Sequence, residues 1–201
     1  MTLKRGRTVH PKTGELRVAL RKCLSHARPW SGTIYRFATV QHANRANLLS
    51  GAGSRRHGGR WNPPGMFNCV YGSLDPHAAM EESFASFTAF GIPPEKARPR
   101  VFVAVTLKLY PVLDITATTV LKSLRLTEEE LRAVDWQDAQ TRGEEALTQA
   151  IGRLAWEEKL EALIVPSARQ IGSLNLVLFP GRRRRGSSWK IQGARDLPRS
   201  Q

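Results

Sequence analysis

The stretch Arg100-Val101-Phe102-Val103-Ala104-Val105-Thr106-Leu107-Lys108-Leu109 decides the fold class. Its alternation and its β-branched content predict a strand, and its length a central one. Just beyond it, Val112 to Ile115 reads as a second short strand. Upstream, Thr33 to Val40 (TIYRFATV) and Asn68 to Ser73 (NCVYGS) read as strands; downstream, so do Leu163 to Val165 and Leu174 to Phe179 (LNLVLF). Helical signals lie between these runs. Glu15 to Leu24 is amphipathic and stops before Arg28-Pro29. Asp75-Pro76 places an aspartate at an N-cap and a proline at the first helical position, opening a helix to about Phe90 with Ala79, Phe84 and Phe87 on its apolar face. Thr127-Glu128-Glu129-Glu130 is a capping-box pattern. Gly143 to Leu160 supports a further helix with Leu147, Ile151, Leu154 and Trp156 near its buried side. Strands dominate the middle, helices cluster between 117 and 160, and strands return. That order lacks a regular strand–helix–strand alternation, so it predicts an α+β fold rather than a doubly wound sheet.

Composition bounds the rest. A chain of 201 residues with 41% hydrophobic content supports one domain with a substantial core. No apolar run approaches the length of a membrane span, and Met1 to Arg17 is basic without the apolar stretch of a secretory signal. Cys23 and Cys69 stand far apart, which argues against a disulfide scaffold or a zinc site and fits a reducing cytoplasm. The net charge of +14 is concentrated at the ends: residues 1–30 carry +7, residues 181–201 carry +6, and residues 31–180 only +1. The expected organisation is a basic N-terminal flank (1–30), a nearly neutral body forming the one domain (31–180) and a basic C-terminal flank (181–201). Basic ends bind nucleic acid or an acidic partner, or simply keep a protein soluble.

P-loop, H-E-x-x-H and G-x-S-x-G patterns are absent, and the five histidines are scattered. Leu49 to Gly65 reads as a long glycine-rich loop, a kind that is usually functional or disordered. Within it, Gly58-Gly59-Arg60-Trp61-Asn62-Pro63 offers bare backbone N–H groups beside an arginine, which suits a phosphate. Tyr71 follows Arg60 by eleven residues, and Glu82 follows Tyr71 by eleven. An anion binder, an aromatic platform and a carboxylate are what holding and attacking a dinucleotide requires. Each residue also has a plain structural reading. Arg36, inside a strand, is expected at solvent from position alone; Tyr71 reads as half-buried core; Ser167, after Pro166, reads as a turn-former. Glu81 and Glu82 are about 100° apart on their helix, and Glu82 is the one that shares a stripe with Ala78 and Ala79.

These blocks, taken in order, resemble the RES-domain family. They are Tyr35-Arg36; Gly58-Gly59-Arg60-Trp61-Asn62-Pro63-Pro64-Gly65; Val70-Tyr71-Gly72-Ser73; Ala79-Met80-Glu81-Glu82; Val165-Pro166-Ser167-Ala168-Arg169; and Asn175 to Phe179. The resemblance implies a single domain related to the ADP-ribosyltransferase fold, with twisted, mostly antiparallel sheets and flanking helices. It implies a cytoplasmic bacterial toxin that consumes NAD+ by phosphorolysis or hydrolysis, or transfers ADP-ribose to a protein. It further implies an Xre-type DNA-binding antitoxin as partner, possible use of inorganic phosphate as co-substrate, and no metal. By position it assigns catalysis to Glu82, Arg60 and Tyr71, and cofactor binding to Arg36, Gly59, Arg60, Tyr71, Ser167 and Asn175. Glu82 would stabilise positive charge on the ribose, and the two arginines would hold the pyrophosphate. A nucleic-acid-binding module acting through the basic ends is the alternative of another class, and homo-oligomerisation is left open. The run Arg182 to Arg185 is equally open between phosphate, an acidic antitoxin surface and RNA.

Overall fold

The structure is a computed structural model and describes residues 7–81 and 100–198. Its strands are β1 (Arg28–Thr39), β2 (Val70–Ser73), β3 (Arg100–Asp114), β4 (Ala162–Pro166), β5 (Leu174–Leu178) and β6 (Ser188–Ile191), bonded in the order β1-β2-β5-β4-β3-β6. β1 also bonds β3, so the first five strands close into a ring. β1 runs antiparallel along almost the whole of β3, from Thr39 opposite Arg100 to Arg28 opposite Val112. With that edge taken, β4 and β6 share the other one. β4 lies parallel at Val112–Asp114 and β6 antiparallel at Val105–Lys108. The remaining pairings are antiparallel. The fold is therefore α+β, with a barrel-like, mostly antiparallel sheet. Val112 to Ile115, expected as a separate strand, is the end of β3 as far as Asp114, because pairing with β1 carries through.

The helices are α1 (Thr13–Cys23), α2 (Arg45–Leu48), α3 (Ala52–His57), α4 (opening at residue 76 and described to residue 81), α5 (Thr118–Leu124), α6 (Glu128–Ala133), α7 (Trp136–Thr141) and α8 (Leu147–Glu157). Two start signals act as expected. Asp75 Oδ1 accepts from Ala78 N at 2.7 Å, and the Thr127–Glu130 capping box is formed. The rest of the helix expected to reach Phe90, with Phe84 and Phe87, lies outside the described residues.

Strand alternation divides the core in two. Ile34, Val70, Val105, Ile164 and Leu176, one from each ring strand, gather inside the barrel. Leu163, Val165, Val177 and Phe179 point outward and pack beneath α1, α5 and α8 through Leu16, Leu20, Val120, Ile151 and Leu154. Both faces of β4 and β5 are thus covered, which is why they read as nearly continuous apolar runs. Each fully buried leucine contributes roughly 1.5–3 kcal/mol relative to exposure.

Within the described residues, both basic flanks are built into this body. The side chains of Leu16, Leu20 and Cys23 on α1 belong to the outer core. Ahead of α1, Thr8 N donates to Gly143 O at 3.0 Å and Glu145 N to Thr8 O at 2.9 Å. The buried Glu145 carboxylate pairs with Arg153 at 2.6 Å and accepts from His10 N at 3.1 Å. At the other end, Arg182 donates to Trp156 O at 2.8 Å while its guanidinium lies 3.9 Å from the Trp156 ring centroid. Arg184 donates to Lys159 O at 3.2 Å, and Arg183 covers the Trp189 ring at 4.9 Å. Trp156 and Lys159 lie at the C-terminal end of α8, where unpaired carbonyls and the helix dipole favour cations.

Candidate active site

The glycine-rich segment is not one long loop. α3 occupies 52–57, an element with no apolar periodicity to announce it. Ser54 fixes it: its hydroxyl donates to Cys69 O at 2.7 Å and accepts from Cys69 N at 2.8 Å. Gly58, with φ of 77°, then ends the helix in a conformation that glycine adopts cheaply. Gly59 and Asn62 exchange backbone hydrogen bonds at 2.9 and 3.2 Å, forming the tight turn that carries Arg60 and Trp61.

Distant residues hold this turn. Tyr71, the second residue of β2, is half-buried, and its Oη accepts from Trp61 N at 3.0 Å and donates to Asn62 Oδ1 at 2.6 Å. Burial drives the phenol well above its usual value of 10, with Cys69 adding to the effect, so Tyr71 stays protonated at neutral pH and does not act as a base. Asn62, fully buried, donates to Ser54 O at 2.8 Å. Gln149 on α8 donates to Gly59 O at 3.2 Å. Gly152, one turn along, lets the helix lie against the loop backbone: a Cβ there would sit 1.8 Å from Trp61 O. A Cβ on Gly59 would meet the Tyr71 hydroxyl at 2.6 Å. Finally, Arg7 donates to Pro64 O at 2.8 Å, tying the N-terminal segment to the same loop.

Arg60 projects toward the end of α6, where its guanidinium donates to Leu131 O at 3.1 Å and Arg132 O at 3.4 Å. Arg132 donates in turn to Ser167 O at 3.2 Å. Ser167 is fully buried just past β4, and its hydroxyl accepts from Arg169 N at 3.3 Å and Gln170 N at 3.2 Å. That is the turn-forming role its sequence context suggests. Asn175 on β5 stands opposite Ser73 of β2 and Val165 of β4. By strand alternation Tyr71, Asn175 and Ser167 share the outward face of the sheet with Val165 and Val177, at the end where β2 leads into α4.

Arg36 is placed otherwise. It shares the inward face of β1 with Ile34 and Ala38, which corrects the expectation of a solvent position. Tyr35 and Phe37 take the outward face, where Tyr35 stacks on the exposed Phe102 and Phe37 meets it at a tilt. The Arg36 guanidinium donates to Leu48 O, and its buried Nε has no acceptor among the described residues. Burial lowers its pKa to about 10, which leaves it charged at neutral pH. Gly59, Arg60, Tyr71, Ser167 and Asn175 thus lie on the outward side of the sheet, while Arg36 lies on its inward side and bonds the Leu48 carbonyl. Glu82 lies outside the described residues; Glu81, next to it, is exposed. Sequence reasoning did not single out Asn62, Arg132, Gln149 or Gly152. The available signal was a glutamine and a glycine within the otherwise apolar stripe of α8.

The RES domain family matches residues 33–200, and the chain belongs to it. NAD(+) phosphorylase MbcT from Mycobacterium bovis is 30% identical over 145 residues, covering 71% of this chain and 71% of the relative. The Mycobacterium tuberculosis MbcT matches to the same extent. The crystal structure of the M. tuberculosis MbcT–MbcA toxin–antitoxin complex superposes with a TM-score of 0.66 at 27% identity, covering 88% of this chain and 91% of that one.

Proposed function

We propose that this chain is the toxin of a toxin–antitoxin pair and cleaves the nicotinamide–ribose bond of NAD+, with inorganic phosphate as the acceptor. The likeness to MbcT over 71% of both chains carries the reading, and it is strengthened by a braced arginine turn where the substrate pyrophosphate would sit. In the reaction the ribose C1–N bond breaks and its electron pair leaves with nicotinamide, neutralising the pyridinium. A phosphate oxygen then bonds C1, giving an ADP-ribose 1-phosphate. The transition state is oxocarbenium-like, as in glycoside cleavage, and an already cationic leaving group needs no general acid.

Glu82 stabilises the charge developing on the ribose. Arg36 and Arg60 hold the pyrophosphate, Arg36 with the Nε donor that lacks an acceptor among the described residues. Tyr71 keeps the Arg60 turn in shape and lines the nicotinamide side. Gly59 gives the backbone close access, and Ser167 and Asn175 complete the cofactor contacts. The fold is read as related to ADP-ribosyltransferases, the location as cytoplasmic, and the partner as an Xre-type antitoxin. Supporting these are the matched toxin–antitoxin complex and the lack, among the described residues, of a helix long and apolar enough to cross a membrane.

The test is nicotinamide release by antitoxin-free protein with and without phosphate. Release that depends on phosphate supports the reading. Equal release without phosphate indicates hydrolysis, labelling of a protein band indicates ADP-ribosyl transfer, and a folded protein with no turnover under any acceptor overturns it.

A further inference from the structure

A second cationic cavity lies away from the Arg60 turn, between α2 and the end of β6. It encloses about 630 Å³ and is lined by Arg45, Lys190 and Arg195, with Asp196 at one side and Trp189 and Leu49 on its floor. That volume is in the range of small-molecule pockets. Several described arginines already have work: Arg17, Arg21, Arg132, Arg142 and Arg153 are in ion pairs, and Arg182 and Arg184 cap α8. Arg45, Lys190 and Arg195 come from two separate parts of the chain, yet none has an ion-pair partner among the described residues. Three cations lining one cavity against a single carboxylate, Asp196, leave an excess of positive charge, a cost that a bound anion relieves.

The lining also limits which anion fits. Arginine pairs favour the bidentate oxygens of a phosphate. The Asp196 carboxylate rejects a bare anion but accepts from hydroxyl or amino donors on the same ligand. Leu49 and Trp189, which pack against the inner core from outside, give an apolar surface for a flat ring on the part of Trp189 that Arg183 leaves uncovered. Phosphate, hydroxyls and a ring together describe a nucleotide. We propose that this cavity is a nucleotide-binding site distinct from the candidate active site. The two are joined through α2: Arg45 opens the helix toward the cavity, and Leu48 at its end gives its carbonyl to Arg36.

The experiment is calorimetric titration of the full chain with ADP, alongside nicotinamide release. Wild-type protein is expected to bind ADP at two sites. The Arg195→Glu and Lys190→Ala variants, each checked by circular dichroism, are expected to weaken one site about tenfold or more while nicotinamide release at saturating NAD+ is kept. Arg36→Gln is expected to weaken the other site and spare this one. One site in wild-type protein, or unchanged titrations in both cavity variants, overturns the proposal. Displacement of ADP from this site by a single-stranded oligonucleotide at lower concentration than by ATP overturns the nucleotide assignment in favour of a nucleic-acid backbone. Because release is read separately, loss of the proposed activity and loss of this site are distinguishable.

Discussion

The glycine-rich segment 51–65 and the arginine run 182–185 put arginine to opposite uses. In the first, Tyr71, Asn62, Gln149, Gly152 and Arg7 brace one short turn from five directions. In the second, three successive arginines are consumed in capping α8 and covering tryptophan rings. The densest charge run in the sequence therefore serves packing, while the single Arg60 is presented by dedicated scaffolding. Local charge density is therefore a poor guide to which arginine the fold holds in a fixed, braced turn.

That contrast can be tested, beginning with the largest effect. Glu82→Gln is expected to cut nicotinamide release by about 10²–10³-fold with the thermal midpoint retained; near-normal turnover would remove the carboxylate from the site. Gly152→Ala pushes a methyl into the Trp61 carbonyl and is expected to cost about 1–3 kcal/mol in chemical denaturation, with activity falling alongside. Tyr71→Phe leaves Trp61 N and Asn62 Oδ1 without their shared partner, at about 1–3 kcal/mol. Its KM should rise more than its kcat falls if the turn positions substrate.

Two arginines should then give opposite signatures. Arg36→Gln is expected to impair release without lowering the unfolding midpoint, because burial opposes the charged guanidinium in the folded state. The sign follows from its lowered value. The unfolded chain holds this proton more tightly, so the destabilisation is present at neutral pH and is relieved only as the pH rises above about 10. Arg182→Ala is expected to do the reverse, losing about 1 kcal/mol of stability and keeping activity. Equal activity loss in both would erase the distinction between the two regions.

Much of the architecture was legible where the signal is local. The strand around Val105, the Asp75 cap and the Thr127 box depend on neighbours in sequence. Ring closure depends on β1 meeting both β2 and β3, which no local pattern records. α3 was missed because AGSRRH has no apolar stripe; it is held by Ser54 against Cys69. β6 was missed inside a run that reads as a charged tail. Arg36 was assigned the wrong face because Tyr35 and Phe37 look like the apolar side, whereas the smaller Ile34 and Ala38 set the inward phase. Arg60, Tyr71 and Ser167 could be nominated from motif order. Their braces could not, since Gln149 reaches Gly59 across 90 residues.

The ring also has a bearing on biosynthesis. β1 finds β3 once residue 112 has emerged, but β2 is sandwiched between β1 and β5, which ends at Leu178. Ser167 and Asn175 arrive equally late. At about 5–20 residues per second, several seconds separate translation of the Arg60 turn from translation of the strand that completes its surroundings. A nascent chain therefore lacks the strands that surround the Arg60 turn until nearly all of it has left the ribosome.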